Sequence, residues 1–198
     1  MASIGLSKPR FATYSESTQQ YDGAKVAGKA VNWNLALNGG SENKLYGDNA
    51  PAESDAQFAG GTLAVSTTDI DPDILKVLLG ITQTSETIGT ATVKVLHYDD
   101  RQSVPYIGFA GIRKAMVDGV VYYQAMMLNK VKPQNLNDSY ETQGETINWI
   151  VPELVMEVFK DDTQYHEWKK ESELLDTEAE ALAVIEAWMA APTPGVGQ

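Results

Sequence analysis

Cysteine is absent from all 198 residues. That excludes disulfides, thiol nucleophiles and thiolate metal centres together. Histidine is nearly absent: His97 and His166 are the only two, and their separation matches no metal-ligand spacing. No apolar run approaches the ~20 residues of a membrane-spanning helix. The opening MASIGLSKPRF lacks the apolar stretch of a secretory leader, so synthesis in a cytoplasm is expected. No GxGxxG or P-loop pattern follows a strand, and no GxSxG occurs, which removes the usual nucleotide and serine-hydrolase signatures. Repeats and hydrophilic linkers are also missing, so residues 1–190 form one expected domain, with 191–198 a flexible tail.

What is present is globular in character, with 43% hydrophobic and 21% charged residues. The net charge of −12 is unevenly placed. Residues 1–137 carry 12 basic and 13 acidic groups, whereas residues 138–198 carry 3 and 14. An acidic chain repels a phosphate backbone instead of releasing its counterions, which argues against nucleic-acid binding. A solvated acidic face is the plainer use of such charge.

Pro105 to Val131 is the most informative stretch. Two apolar, β-prone runs flank Asp118-Gly119, the strongest short-range signal for a hairpin with positive φ at both turn positions. Each arm is about twice the usual ~5–6 residues of a strand. Arms that long outrun a small core and suggest a second surface, such as another subunit. Other strands are expected at Arg10–Ser15, Val31–Leu37, Thr62–Thr67, Thr90–Tyr98 and Glu145–Phe159. In the last, the apolar phase slips between Val151 and Leu154, so a bulge is expected beside Pro152. Glu16–Gly23 and Lys132–Gly144 look like polar loops, and Tyr165–Glu173 fits strand or helix equally.

Two helices have explicit stop and start signals. Asp71 caps one that begins at Pro72 and ends at Gly80, with Ile74, Val77 and Leu78 on its apolar face. Thr177 and Glu180 form a capping box before Leu182, Ile185, Trp188 and Met189. The fold class is therefore mainly β with flanking α, carrying long hairpin arms and one or two short helices.

Catalytic patterns are weak. His97 beside Asp99 and Asp100 is better explained as a strand-end histidine next to an acidic turn than as a general base. Asp69, Asp71 and Asp73 imitate a calcium loop, but Ile74 and Gly80 stand where glycine and glutamate are needed. Glu153 and Glu157 lie ~13 Å apart on a strand, too far for a glycosidase pair. Tyr122 and Tyr123, with Trp149, suggest a stacking platform, yet adjacent strand residues face opposite ways. No enzyme, cofactor or metal is expected.

The order of pieces is similar to that of the major tail proteins of long-tailed, non-contractile bacteriophages. The segments carrying the resemblance are IGLSKPRFATYS, LYGDNAPAESDAQFAGGTLAVSTTDIDPDILKVLLG, YETQGETINWIVPE and the terminal ALAVIEAWM. The resemblance implies a β-sandwich or barrel of the tail-tube type, in rings typically of six subunits. Strands from each subunit would join into one inner barrel, and rings would stack through loops and arms. Residues 1–9 would be an N-terminal arm and residues 41–61 a long interaction loop. Leu45, Tyr46, Asp48, Phe58, Tyr122 and Tyr123 become candidate inter-subunit residues. Glu145, Glu153 and Glu157 become candidate lumen-facing acids, past which DNA slides without specific binding. Expected partners are neighbouring copies, a tape measure protein, and tail terminator and distal tail proteins, with location in the virion tail and no membrane. Alternatives are a carbohydrate- or protein-binding β-sandwich module, and the inner tube of a contractile tail or injection system.

Overall fold

The computed structural model describes residues 2–38, 43–47, 50–55, 58–68, 70–100, 102–137, 139–142 and 151–190. The chain is mainly β, built on one large antiparallel sheet with two helices. Its elements are β1 (Ala2–Ser15), β2 (Gln20–Val26), β3 (Ala30–Leu37), β4 (Asn43–Gly47), β5 (Ala50–Asp55), β6 (Gly61–Thr67) and α1 (Pro72–Leu79), followed by β7 (Thr82–Ile88), β8 (Ala91–His97), β9 (Ile107–Val117), β10 (Val120–Asn137), β11 (Glu153–Phe159), β12 (Lys169–Glu171) and α2 (Glu178–Met189). The main sheet runs β2-β1-β9-β10-β11-β6-β3, with β12 also paired to β10. β4–β5 and β7–β8 are separate hairpins.

The 18-residue β10 belongs to two blades. Its first part pairs with β9, from Val120↔Val117 to Val131↔Ile107. Its second part pairs with β11, from Lys130↔Phe159 to Asn137↔Glu153. Residues directly opposite in an antiparallel pair share a face. Phe11, Phe109 and Leu128 therefore point together into the larger core, where they meet Leu63, Met156 and Val158 of the other blade and Leu78 of α1. The reverse face presents Ala110, Ile112, Ala125 and Met127 to Ala181, Ile185 and Met189 of α2. The layers are thus blade, blade and helix.

Local chemistry explains the termini. Asp118 and Gly119 take φ of 50° and 81°, the doubly positive turn that Asp-Gly favours. Asp71 Oδ1 accepts from the Asp73 amide at 2.8 Å, and Gly80 closes α1 in the left-handed region. The face of α1 differs by one position from expectation: Leu75, Leu78 and Leu79 are buried, while Ile74 and Val77 pack at the core margin. Thr177 Oγ1 accepts from Glu180 N at 3.2 Å, and Glu180 Oε2 accepts from Thr177 N at 3.0 Å, completing the capping box.

Several expectations need correction. Residues 2–7, expected within a free arm, lie in β1 and pair with the outer half of β9, Ala2 opposite Met116 and Ser7 opposite Ile112. The edge of the long hairpin arm is thereby satisfied within the chain. Lys8, at φ 53°, sits in the irregularity between Ser7 and Arg10 that separates the two halves of β1. The expected loop at Glu16–Gly23 contains the start of β2. Within the expected 41–61 loop, β4 and β5 form a hairpin, Asn43 opposite Asp55. Lys132 to Asn137 is strand, not loop. Pro133, which has no amide hydrogen, is tolerated because the register shifts between it and Asn135. That irregularity lies on β10; the bulge expected beside Pro152 is not in β11, which starts at Glu153. The earlier half of that expected strand, 145–150, is outside the described residues, as is the 191–198 tail. No helix among the described residues is long and apolar enough to cross a membrane.

Candidate functional site: a polar sheet face with open edges

The second blade, made of the far half of β10 with β11, β6 and β3, has two unlike faces. One is core. Leu136, Leu154, Val65 and Trp33 form a row across it, and Pro133, Met156, Leu63 and Leu35 form the next. The other face points away from the core. Its rows run Asn137–Glu153–Ser66–Asn32 and Lys132–Glu157–Thr62–Ala36, with Val155, Ala64 and Asn34 between them. Alternation along each strand forces this split, since a residue and its neighbour face opposite ways. Apart from Val155, the outward set is small or polar.

The strand phase left open by the sequence is therefore fixed for two acids. Glu153 and Glu157 both lie on the outward face, two residues apart on that face. Asn137 Nδ2 donates to Glu153 Oε1 at 3.4 Å, and Gln134 Nε2 donates to Glu157 Oε2 at 2.9 Å. Side-chain amides from β10 thus bind both carboxylates. Glu145 lies outside the described residues.

The blade is open on both sides. Among the described residues no strand pairs with the outer edge of β3, and β9 pairs with β10 only up to Val131. From Lys132 onward, no strand among the described residues lies beside the β10 edge that β9 serves earlier. Val31 and Leu37 on β3 are each 51% exposed, although Trp33 and Leu35 between them reach the core. Unpaired edges with exposed apolar residues are what a strand presents when it is to be extended.

The candidate contact residues scatter more widely. Phe58 stacks on Trp168, with ring centroids 4.5 Å apart, inside the same chain. Tyr122 and Tyr123 are half-buried on opposite faces of β10, and Tyr123 packs into the α2-side cluster while pairing with Leu175. Leu45 and Tyr46 lie on β4, and Asp48 is outside the described residues.

A charge cluster around one nearly buried lysine, missed in the sequence, ties the sheet to its loops. Lys130 Nζ is almost buried and donates to Glu16 at 2.7 Å and to Asp162 at 2.8 Å, with the Tyr106 ring 4.4 Å away. Burial pushes the Lys130 pKa down, but its hydrogen bonds to Asp162 and Glu16 outweigh that, and the net shift is upward. Burial also raises Tyr21, whose hydroxyl donates to the Asn129 carbonyl at 2.9 Å, and it raises Tyr14. Nothing in the spacing of Glu16, Lys130 and Asp162 signals this meeting.

The histidines serve local roles. His97 Nε2 lies 2.7 Å from Thr84 Oγ1 and 3.4 Å from Glu86 across the β7–β8 hairpin. His166 Nδ1 lies 3.3 Å from the Asp161 carbonyl. No family model and no curated protein matches the chain.

Proposed function

We propose that the chain is the protomer of a tube, the tail tube protein of a long-tailed phage, which assembles into stacked rings and conducts DNA. The observation that carries this reading is the second blade: a polar, small-residue face backed by core and bounded by two unpaired edges. Strand addition between β3 of one copy and the 132–137 edge of the next would extend the blade into a closed barrel, which removes both edges. The outward rows would then line the lumen. Glu153 and Glu157 would face DNA as like charges among Asn, Ser, Thr and Ala, with Val155 the one large apolar residue of those rows; Lys132, the cation beside Glu157, has its ammonium 5.1 Å from the Tyr106 ring. The hydrogen bonds from Gln134 and Asn137 would tether those carboxylates to β10.

Negative-stain electron microscopy of the purified chain across a concentration series tests the reading. Rings or hollow filaments are expected. Compact monomers at every concentration, both alone and with a tape measure partner, would overturn it and favour a binding module. Replacing Glu153 and Glu157 with lysine should leave assembly intact and slow DNA passage; normal ejection by such a variant would remove the lumen role.

A further inference from the structure

Two features of the molecule remain without use in the tube wall. The first is the β7–β8 hairpin. Its pairing places Thr84, Glu86 and Ile88 opposite Val95, Val93 and Ala91, so these six residues share one face. Leu96, on the other face, packs against the core. Ile88 is 63% exposed and Val93 38%. A two-stranded ribbon is marginal by itself in water, and an outward apolar stripe on one marks a contact surface.

The second is a cleft of about 420 Å³ beside the β3 edge. Ile4 and Leu6 of β1, Val31 and Trp33 of β3, and Met126 of β10 form its apolar walls. Trp33 lies so close over Gly111 that a Cβ there would come within 2.7 Å of the ring, so glycine lets the indole pack against β9. Two cations, Arg113 and Lys169, line it, and no carboxylate does. Lys169 is paired with Glu171, and Arg113 Nη2 donates to Gln124 Oε1, while Arg113 Nε is buried without a hydrogen-bond partner among the described residues.

We propose that these are the two halves of one contact between copies. The β7–β8 finger of one copy seats Ile88 and Val93 in the Trp33 cleft of the next, and Glu86 on the same face, whose Oε1 is shared with Thr84 and His97 in its own hairpin, supplies a carboxylate to Arg113. Charge decides the occupant: the cleft is apolar and cationic, and the finger is apolar with one acid on its contact face. Finger and cleft lie on different parts of the chain, so the contact is head-to-tail and propagates into rings or filaments instead of closing a two-fold dimer. The inference rests on the self-assembly reading, which it supplies with a second contact, made by side chains beside the β3 edge instead of by its backbone.

The cysteine-free chain gives a clean test. A variant with both Ile88→Cys and Val31→Cys, each at an exposed position, is treated with a short bismaleimide under conditions where sedimentation shows association. A ladder of trimers and higher species on a denaturing gel is expected from the double variant, and no ladder from either single one. Association without a ladder would overturn the finger-in-cleft contact and leave the tube reading standing. No association at all would overturn both. Independently, Val93→Lys should raise the concentration needed for assembly at least tenfold with an unchanged thermal melt. An unchanged assembly concentration would overturn the contact.

Discussion

The β9–β10 and β7–β8 hairpins are both closed by two-residue turns, with both positions at positive φ in Asp118-Gly119 and Gly89 alone in Gly89-Thr90, and they end in different circumstances. Both turn on two residues with glycine in the left-handed region, Gly119 at φ 81° and Gly89 at φ 65°. β9–β10 is flanked by β1, β11 and β12 and buried between the larger core and α2, so Phe109, Ile112 and Met127 are fully buried. β7–β8 has no strand beside it among the described residues and keeps Ile88 and Val93 exposed. Turn chemistry creates a hairpin; long-range partners decide whether it becomes core or surface.

The largest break of that comparison is Phe109→Ala. It should cost about 3–5 kcal/mol by urea denaturation, because the ring is fully buried and its loss leaves a cavity. Val93→Ala, the matching truncation in the other hairpin, should stay within about 0.5 kcal/mol in the unassembled chain. A similar cost from the two would mean that β7–β8 is part of the core after all.

Next in size is the charge cluster on β10, which β7–β8 lacks. Asp162→Ala strands the nearly buried Lys130 ammonium with Glu16 alone and should cost about 2–3 kcal/mol. Lys130→Met leaves two carboxylates that water can reach and should cost less than Asp162→Ala. The reverse order would show that the ammonium, not its partners, is the easily hydrated group.

The same cluster gives a pH dependence. Lys130, Tyr14 and Tyr21 all hold their protons more tightly when folded. Their contribution is fully present below the unfolded values of about 10 and is lost as pH rises through the folded ones. The urea midpoint should therefore fall between pH 9 and pH 11, and fall less in Tyr21→Phe; a flat profile would discount the cluster.

The smallest effects compare the turns themselves. Gly119→Ala should lower global stability by about 1 kcal/mol, since alanine resists positive φ and the strain falls on a hairpin inside the cooperative unit. Gly89→Ala carries the same strain, yet should leave the global midpoint unchanged within about 0.3 kcal/mol and instead speed amide exchange in residues 82–97. Equal global costs would erase the distinction between the hairpins.

Much of the secondary structure was legible because its causes are local. The capping box at Thr177 and Glu180, the Asp71 cap with Pro72, and the Asp118-Gly119 turn act within a few residues, and each stands as expected. Strands with clear alternation, Val31–Leu37 above all, were legible for the same reason. The first half of β1 was not, because its strand character comes from β9, distant in sequence; β7 was not either, because its run of Thr, Gln, Ser and Glu lacks apolar alternation, although its partner β8 lies just across the turn. Pro133 hid the far half of β10, whose continuation depends on β11 alongside it.

By itself the sequence determined the helices, the long hairpin, the acidic balance and the absence of thiol chemistry, since composition, turns and caps need no tertiary partner. Only the tertiary structure decided that Glu153 and Glu157 share the outward face, that residues 2–7 close the edge of β9, and that Lys130 meets Glu16 and Asp162. Each of these depends on register between strands far apart in the chain. A shift of one residue would turn every side chain of β11 to the other face.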